Sequence, residues 1–101
     1  MRIACLPWYD LPETRGAQDS LWSVVARRLV AKGVHGVPDY LSRGLPVPGL
    51  LADPRLLVGQ CCGYDLVYGF ADSVQLVATP RYRAPDCDGA DYRSLILVRD
   101  D

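Results

Sequence analysis

The chain has 101 residues, of which 50% are hydrophobic and 23% are charged, and its formal net charge is −1. This length allows one domain, 1–101, and the composition is that of an ordinary globular protein. A charge so close to zero argues against a nucleic-acid partner, because neutralising phosphates requires a basic face. No apolar run approaches the roughly 20 residues that span a membrane, so we expect no membrane insertion.

The first two predicted elements are a strand and a long helix. Residues 3–6 form a short apolar run ended by a proline, which is typical of a buried parallel strand. Residues 10–13 have the spacing of a capping box, so we expect Asp10 to cap a helix that extends to about Lys32 and stops at Gly33. Apolar residues recur at helical spacing and predict its buried face: Leu21, Val24, Val25 and Leu29.

Three elements are predicted in the middle of the chain. Residues 34–41 indicate a second strand, which Pro38 confines to a sheet edge because proline cannot donate to a ladder. A connection rich in proline and glycine follows, with at most a short helix over 50–53. Residues 56–59 are predicted to form the third strand.

The C-terminal part is predicted to add one helix and two strands. A short helix is expected over 63–70, and a fourth strand over 74–79 ends at a proline. Residues 81–91 are polar and indicate a surface excursion. Residues 94–99 form an apolar run that predicts a fifth strand, antiparallel to the fourth. Strands alternating with helices in this order predict an α/β fold with a mostly parallel sheet flanked by helices.

Polar and aromatic residues follow the first and third predicted strands. The two clusters are Pro7-Trp8-Tyr9-Asp10 and Gln60-Cys61-Cys62-Gly63-Tyr64. In an open α/β sheet, ligands bind beyond the carboxyl ends of the strands, where these clusters would lie. Both clusters also lead into predicted helices, whose N-terminal amides favour an anion. The sequence therefore predicts a lobe that binds a small molecule and does not catalyse a reaction.

The chain contains four cysteines and one histidine. No CxxC spacing occurs, and so few soft ligands do not make a zinc site, so we expect neither a metal nor a cofactor. Two states of the cysteines remain open. In the first, all four thiols are reduced and packed under loops. In the second, the protein is exported and Cys62 and Cys87 form a disulfide.

Four motifs, taken in order along the chain, resemble the type II periplasmic binding protein superfamily. They are Leu6-Pro7-Trp8-Tyr9-Asp10, Gln60-Cys61-Cys62-Gly63-Tyr64, Val77-Ala78-Thr79-Pro80 and Tyr92-Arg93-Ser94. Over its whole length the chain is most similar to the N-terminal part of the phosphate- and phosphonate-binding group of ABC transporter components. The resemblance implies a two-lobed solute-binding protein that closes over its ligand, with this chain as the first lobe, either as a fragment or as a shortened relative.

The resemblance also implies a function, partners and ligand-binding residues. The chain would be the substrate-binding component of an ABC-type transporter for a small anion, with the permease as its protein partner. The ligand would be bound by Trp8, Tyr9, Gln60, Cys61, Cys62, Gly63, Tyr64, Tyr92 and Ser94. The location would be periplasmic by resemblance, but the first residues are too short for a signal segment, which leaves a cytoplasmic protein, a processed protein and a protein exported by other means as alternatives. The face left open between the lobes predicts self-association, with exchange of the fifth strand as one route.

Two other functions fit the same fold. The first is a thiol-dependent enzyme with Cys61 or Cys62 as nucleophile, which requires a lowered thiol pKa. The second is a regulatory or ligand-sensing module that takes no part in transport. Accelerated thiol labelling at neutral pH would distinguish the enzyme from both binding functions.

Overall fold

The computed structural model describes residues 2–85, 87–91 and 95–100. They form a small α/β protein, as the alternation of strands and helices predicts. The elements are β1 (Ile3–Cys5), α1 (Arg15–Ala31), α2 (Val47–Ala52), β2 (Leu56–Gly59) and α3 (Gly63–Asp65), which continues into a π-helical turn (Leu66–Phe70). In the described part of the chain, β1 and β2 make one two-stranded parallel sheet.

The sheet joins the first and third predicted strands. Ile3 lies opposite Leu56 and Cys5 opposite Gly59, with an irregular step in the register after Ile3. Parallel neighbours need a long crossover connection, which here contains α1 and α2. Because β1 is buried on both faces, it is apolar throughout and does not alternate. Both strands were predicted close to their observed bounds, whereas the helix before β2 begins three residues earlier than the predicted 50–53.

Helix α1 ends where Gly33 was predicted to stop it. The Gly33 N–H donates to the Val30 carbonyl at 2.9 Å, and the Val34 N–H donates to the Leu29 carbonyl at 3.0 Å. These two bonds form a Schellman motif, which requires a left-handed residue after the C-cap. Gly33 has φ +84°, a conformation that glycine adopts without a steric penalty.

The predicted capping box at the start of α1 is wrong. The N-cap is Thr14, and its hydroxyl bonds back to the preceding loop: it accepts from the Leu11 N–H at 3.0 Å and donates to the Tyr9 carbonyl. Asp10 instead accepts a hydrogen bond from Arg43 Nε at 2.7 Å. A charge-assisted bond to a guanidinium is stronger than a neutral one, so the carboxylate is held away from the helix amides.

The buried face of α1 is centred on Trp22. Its side chain is 1% exposed and packs in a cluster with Ala4, Leu6 and Leu41. Val25 and Leu29 pack against this cluster, as predicted from the helical spacing. The same prediction is wrong for Leu21 and Val24, which are 52% and 42% exposed. A second cluster, of Ile3, Cys5 and Leu50, lies on the other side of the sheet's first strand.

The strand predicted over 34–41 is not present. Gly36 has φ +70°, which is outside the extended region, and the Pro38 carbonyl accepts a hydrogen bond from Trp22 Nε1 at 3.0 Å. Directly after the segment, the Ser42 N–H donates to the Ala4 carbonyl of β1 at 2.8 Å. Pro38 has no backbone N–H, and its carbonyl is occupied by the Trp22 indole, so neither backbone group of this residue can join a strand ladder.

The two strands predicted after residue 73 are also not observed. Residues 74–79 do not form a strand, and neither does the described part of the fifth prediction, 95–99. The excursion between them contains a tight antiparallel bridge between Asp88 and Asp91. The radius of gyration is 15.6 Å, larger than the roughly 13 Å of a compact domain of this length. The two core clusters of the described chain are built by residues between 3 and 58.

Candidate functional site

An open groove lies at the carboxyl end of the sheet, beside the start of α1. Its volume is about 310 Å³, at the lower end of the range in which small-molecule sites are found. The lining residues come from the loop after β1, the first turns of α1, the end of β2 and the segment after residue 79: Trp8, Tyr9, Thr14, Ala17, Gln18, Leu21, Gln60, Pro80 and Tyr82.

Two glutamine side chains hold the backbone of Trp8 in this groove. The Trp8 N–H donates to Gln60 Oε1 at 3.0 Å, and Gln18 Nε2 donates to the Trp8 carbonyl at 2.8 Å. Gln60 follows β2 directly, and Gln18 lies in the first turns of α1. The loop after β1 is thereby fixed to both neighbouring elements. The structure brings together Trp8, Tyr9 and Gln60, which the sequence had placed at two strand ends.

Tyr9 forms one side of the groove with a constrained backbone. It is the non-glycine residue with positive φ in the described chain, at +57°. Its ring packs edge-to-face on Tyr82, with 5.7 Å between centroids and 83° between planes. Edge-to-face packing is a favourable arrangement of two aromatic quadrupoles. The left-handed conformation is unfavourable for tyrosine, and such backbone strain occurs often at ligand sites.

The rest of the second predicted loop does not line the groove. The Cys62 thiol caps α3 by accepting a hydrogen bond from the Asp65 N–H at 3.4 Å. Tyr64 packs on Tyr68, with 4.9 Å between ring centroids, and remains 71% exposed. Cys61 and Gly63 are likewise outside the lining residues.

Tyr92 and Ser94, the remaining predicted ligand residues, lie outside the described residues.

The cysteines are unpaired thiols in this structure, so the disulfide considered between Cys62 and Cys87 is not formed. Burial raises the pKa of the Cys61 thiol, and the neighbouring Cys62 and Asp65 raise it further. Burial also raises the pKa of Cys5, within the sheet. Because the thiolate is the reactive form, a raised pKa opposes the use of Cys61 as a nucleophile at neutral pH.

A three-residue ion cluster links the loop after β1 to α1. Arg43 contacts Asp10 through Nε at 2.7 Å and Asp19 through a terminal nitrogen at 2.8 Å. Hydrogen bonds to Asp10 first, and then to Asp19, raise the pKa of Arg43. The cluster joins the loop after β1, helix α1 and the segment before α2.

Sequence reasoning missed four groups that build the site. Arg43 and Tyr82 act through contacts that are distant in the sequence, whereas Gln18 and Thr14 bond to the nearby loop after β1. The signal that could have directed attention to Thr14 was its place four residues after Asp10, at the true helix start. In the described ranges, no three His, Cys, Asp or Glu side chains are grouped so that they could hold a metal ion.

Comparisons of the chain with protein-family models, curated proteins and solved structures found no match. Nor does any helix within the described residues have the length and apolarity needed to cross a membrane.

Proposed function

We propose that the chain is the first lobe of a type II periplasmic binding protein, the substrate-binding component of an ABC-type transporter, and that it holds a small phosphate- or phosphonate-like anion in the groove. The observation that supports this function is that the Trp8 backbone, in the loop after β1, is bound by Gln60 at the end of β2 and by Gln18 in α1. Ligands of open α/β sheets bind at this end of the strands.

The start of α1 supports an anionic ligand. Thr14 and Ala17 line the groove, so the first turn of this 17-residue helix adjoins it. The first turn contains no acidic residue, and the Thr14 hydroxyl bonds away from the helix. The amides of this turn are thus without a side-chain cap and carry the positive end of the helix dipole.

The exposure of the groove supports a clamp. Tyr9 and Tyr82 are 63% and 41% exposed, so a ligand that lies against them keeps one face in water. A second lobe that closed over this face would exclude water and strengthen the hydrogen bonds to the anion. Binding by the chain alone is accordingly expected to be weak.

The two tryptophans allow a direct test. Trp8 lies in the groove, whereas Trp22 is 1% exposed in the core. Titration with phosphate, methylphosphonate and sulfate is expected to change the fluorescence of Trp8. In the variant Trp8→Phe the remaining emission, from Trp22, is expected to stay constant over the same titration. An anion response that persists in Trp8→Phe, or no response to any anion at millimolar concentration, would contradict the proposed function.

A further inference from the structure

The orientation of both groove glutamines is fixed by the backbone of one residue. An N–H group can only donate, so the Trp8 N–H must face the oxygen of Gln60. A carbonyl can only accept, so the Trp8 oxygen must face the nitrogen of Gln18. The assignment of oxygen and nitrogen in each side-chain amide therefore follows from the contact itself.

These two bonds leave one donor and one acceptor for a ligand. Gln60 keeps its Nε2 amino group, and Gln18 keeps its Oε1 oxygen, neither of which has a hydrogen-bond partner among residues 2–85, 87–91 and 95–100. Both residues are half-buried and line the groove. The walls beside them are the aromatic side chains of Trp8, Tyr9 and Tyr82.

The geometry points to a ligand with a planar ring that presents an acceptor and a donor along one edge, as in a lactam or a pyrimidine base. The ring carbonyl would accept from Gln60 Nε2, and the ring N–H would donate to Gln18 Oε1. The ring face would lie against an aromatic wall, which favours flat ligands. A groove of about 310 Å³ has room for one such ring.

This inference rests on the proposed function and narrows its ligand class. A fully deprotonated oxyanion offers acceptors only, which suit Gln60 Nε2 but leave Gln18 Oε1 facing another oxygen. A protonated phosphate oxygen would donate to Gln18 Oε1, but phosphate has no planar face to lie against the aromatic walls. An anionic group attached to the ring would instead lie at the uncapped first turn of α1, beside Thr14 and Ala17. The ligand is thus a lactam ring that bears a carboxylate or a phosphate-type group.

Three probes separate the two parts of this ligand. Uracil carries the ring edge alone, inorganic phosphate carries the charge alone, and uracil-6-carboxylate carries both. Nuclear magnetic resonance titrations of the whole chain would follow the Trp8 indole and the side-chain amides of Gln18 and Gln60. We expect uracil to shift all three signals, and the carboxylate to bind more tightly than uracil.

The variant Gln60→Glu tests the ring contact while preserving the loop. A glutamate oxygen still accepts from the Trp8 N–H, but the free amino group is replaced by a second acceptor. Uracil affinity is expected to fall about tenfold or more, because a donor is lost and two oxygens then face each other. The matched control is Gln75→Glu, an exposed position outside the groove, with the same change of charge. This control should bind uracil as the unaltered chain does.

Each outcome bears on one claim. Phosphate shifts without uracil shifts would overturn the ring inference and leave the proposed anion site standing. Uracil shifts that are lost in Gln60→Glu would support the ring inference, even if phosphate and the carboxylate gave no added effect and so refuted the anion. Equal uracil affinity in both glutamate variants would overturn the ring inference. No shift with any probe would overturn both.

Discussion

Trp22 is the residue whose replacement tests the described core most directly. Trp22→Phe removes the indole N–H that donates to the Pro38 carbonyl at 3.0 Å, in a site that is 1% exposed. The lost hydrogen bond costs about 1 kcal/mol, and the missing ring atoms cost about 1–2 kcal/mol in burial and packing. The free energy of unfolding should fall by about 2–3 kcal/mol, a large share of the roughly 5–15 kcal/mol typical of a domain.

The assay is urea unfolding followed by far-ultraviolet circular dichroism, which does not depend on tryptophan emission. With an m value of about 1–3 kcal/mol/M, the midpoint should fall by about 0.7–3 M. Trp8→Phe is the matched control, since its ring is half-buried and its two hydrogen bonds are made by backbone atoms. The free energy of unfolding of Trp8→Phe should fall by only about 0.5 kcal/mol, as is typical of a substitution at the surface. Equal midpoint shifts in the two variants would refute the assignment of Trp22 as the centre of the core.

Three further predictions concern other parts of the chain. The side chain and then the backbone N–H of Arg55 lower the pKa of Asp53 to about 2, so the ionised form is favoured in the folded state. The resulting stabilisation is present above about pH 4 and is lost as the pH falls toward 2. An Asp53 titration midpoint near 4 by nuclear magnetic resonance would be inconsistent with this contact, and Arg55→Gln should raise the midpoint. Site-resolved alkylation at pH 7 should label Cys61 more slowly than a peptide thiol, because burial raises its pKa; faster labelling would favour a thiol-dependent enzyme. Residues 95–98 are 72–93% exposed and apolar, so light scattering should detect association at high concentration, and Ile96→Lys should reduce it.

The elements that the sequence predicted well depend on local signals. The strand at Ile3–Cys5 follows from a short apolar run, and the end of α1 follows from Gly33. The N-cap of α1 was predicted wrongly because the Asp10 carboxylate is bound by Arg43, which lies 33 residues away in the sequence. A local capping pattern cannot indicate whether its carboxylate is bound by a distant guanidinium.

The same distinction applies to the candidate site. The topology of parallel strands was enough to bring Trp8 and Gln60 to one edge. It was not enough to identify Gln18 or Tyr82, whose contacts with the loop after β1 depend on the angle of α1 and on the path of the chain after residue 79. Tyr64 was also predicted to bind the ligand, and in the structure the helical turn that begins at Gly63 packs its ring on Tyr68.

The segments wrongly predicted as strands explain why association is expected. Val77 and Ile96 are each 93% exposed, although the residues next to them in the sequence are mostly apolar and favour strands. Strand propensity expresses how well a side chain fits a half-buried pleated surface, so it is realised only beside a neighbouring strand. A two-stranded sheet has outer edges that can accept such a neighbour. If association completes the sheet, the β signal in circular dichroism should rise with concentration together with the scattering mass. A rise in mass without a rise in β signal would mean that the apolar side chains associate without adding a strand.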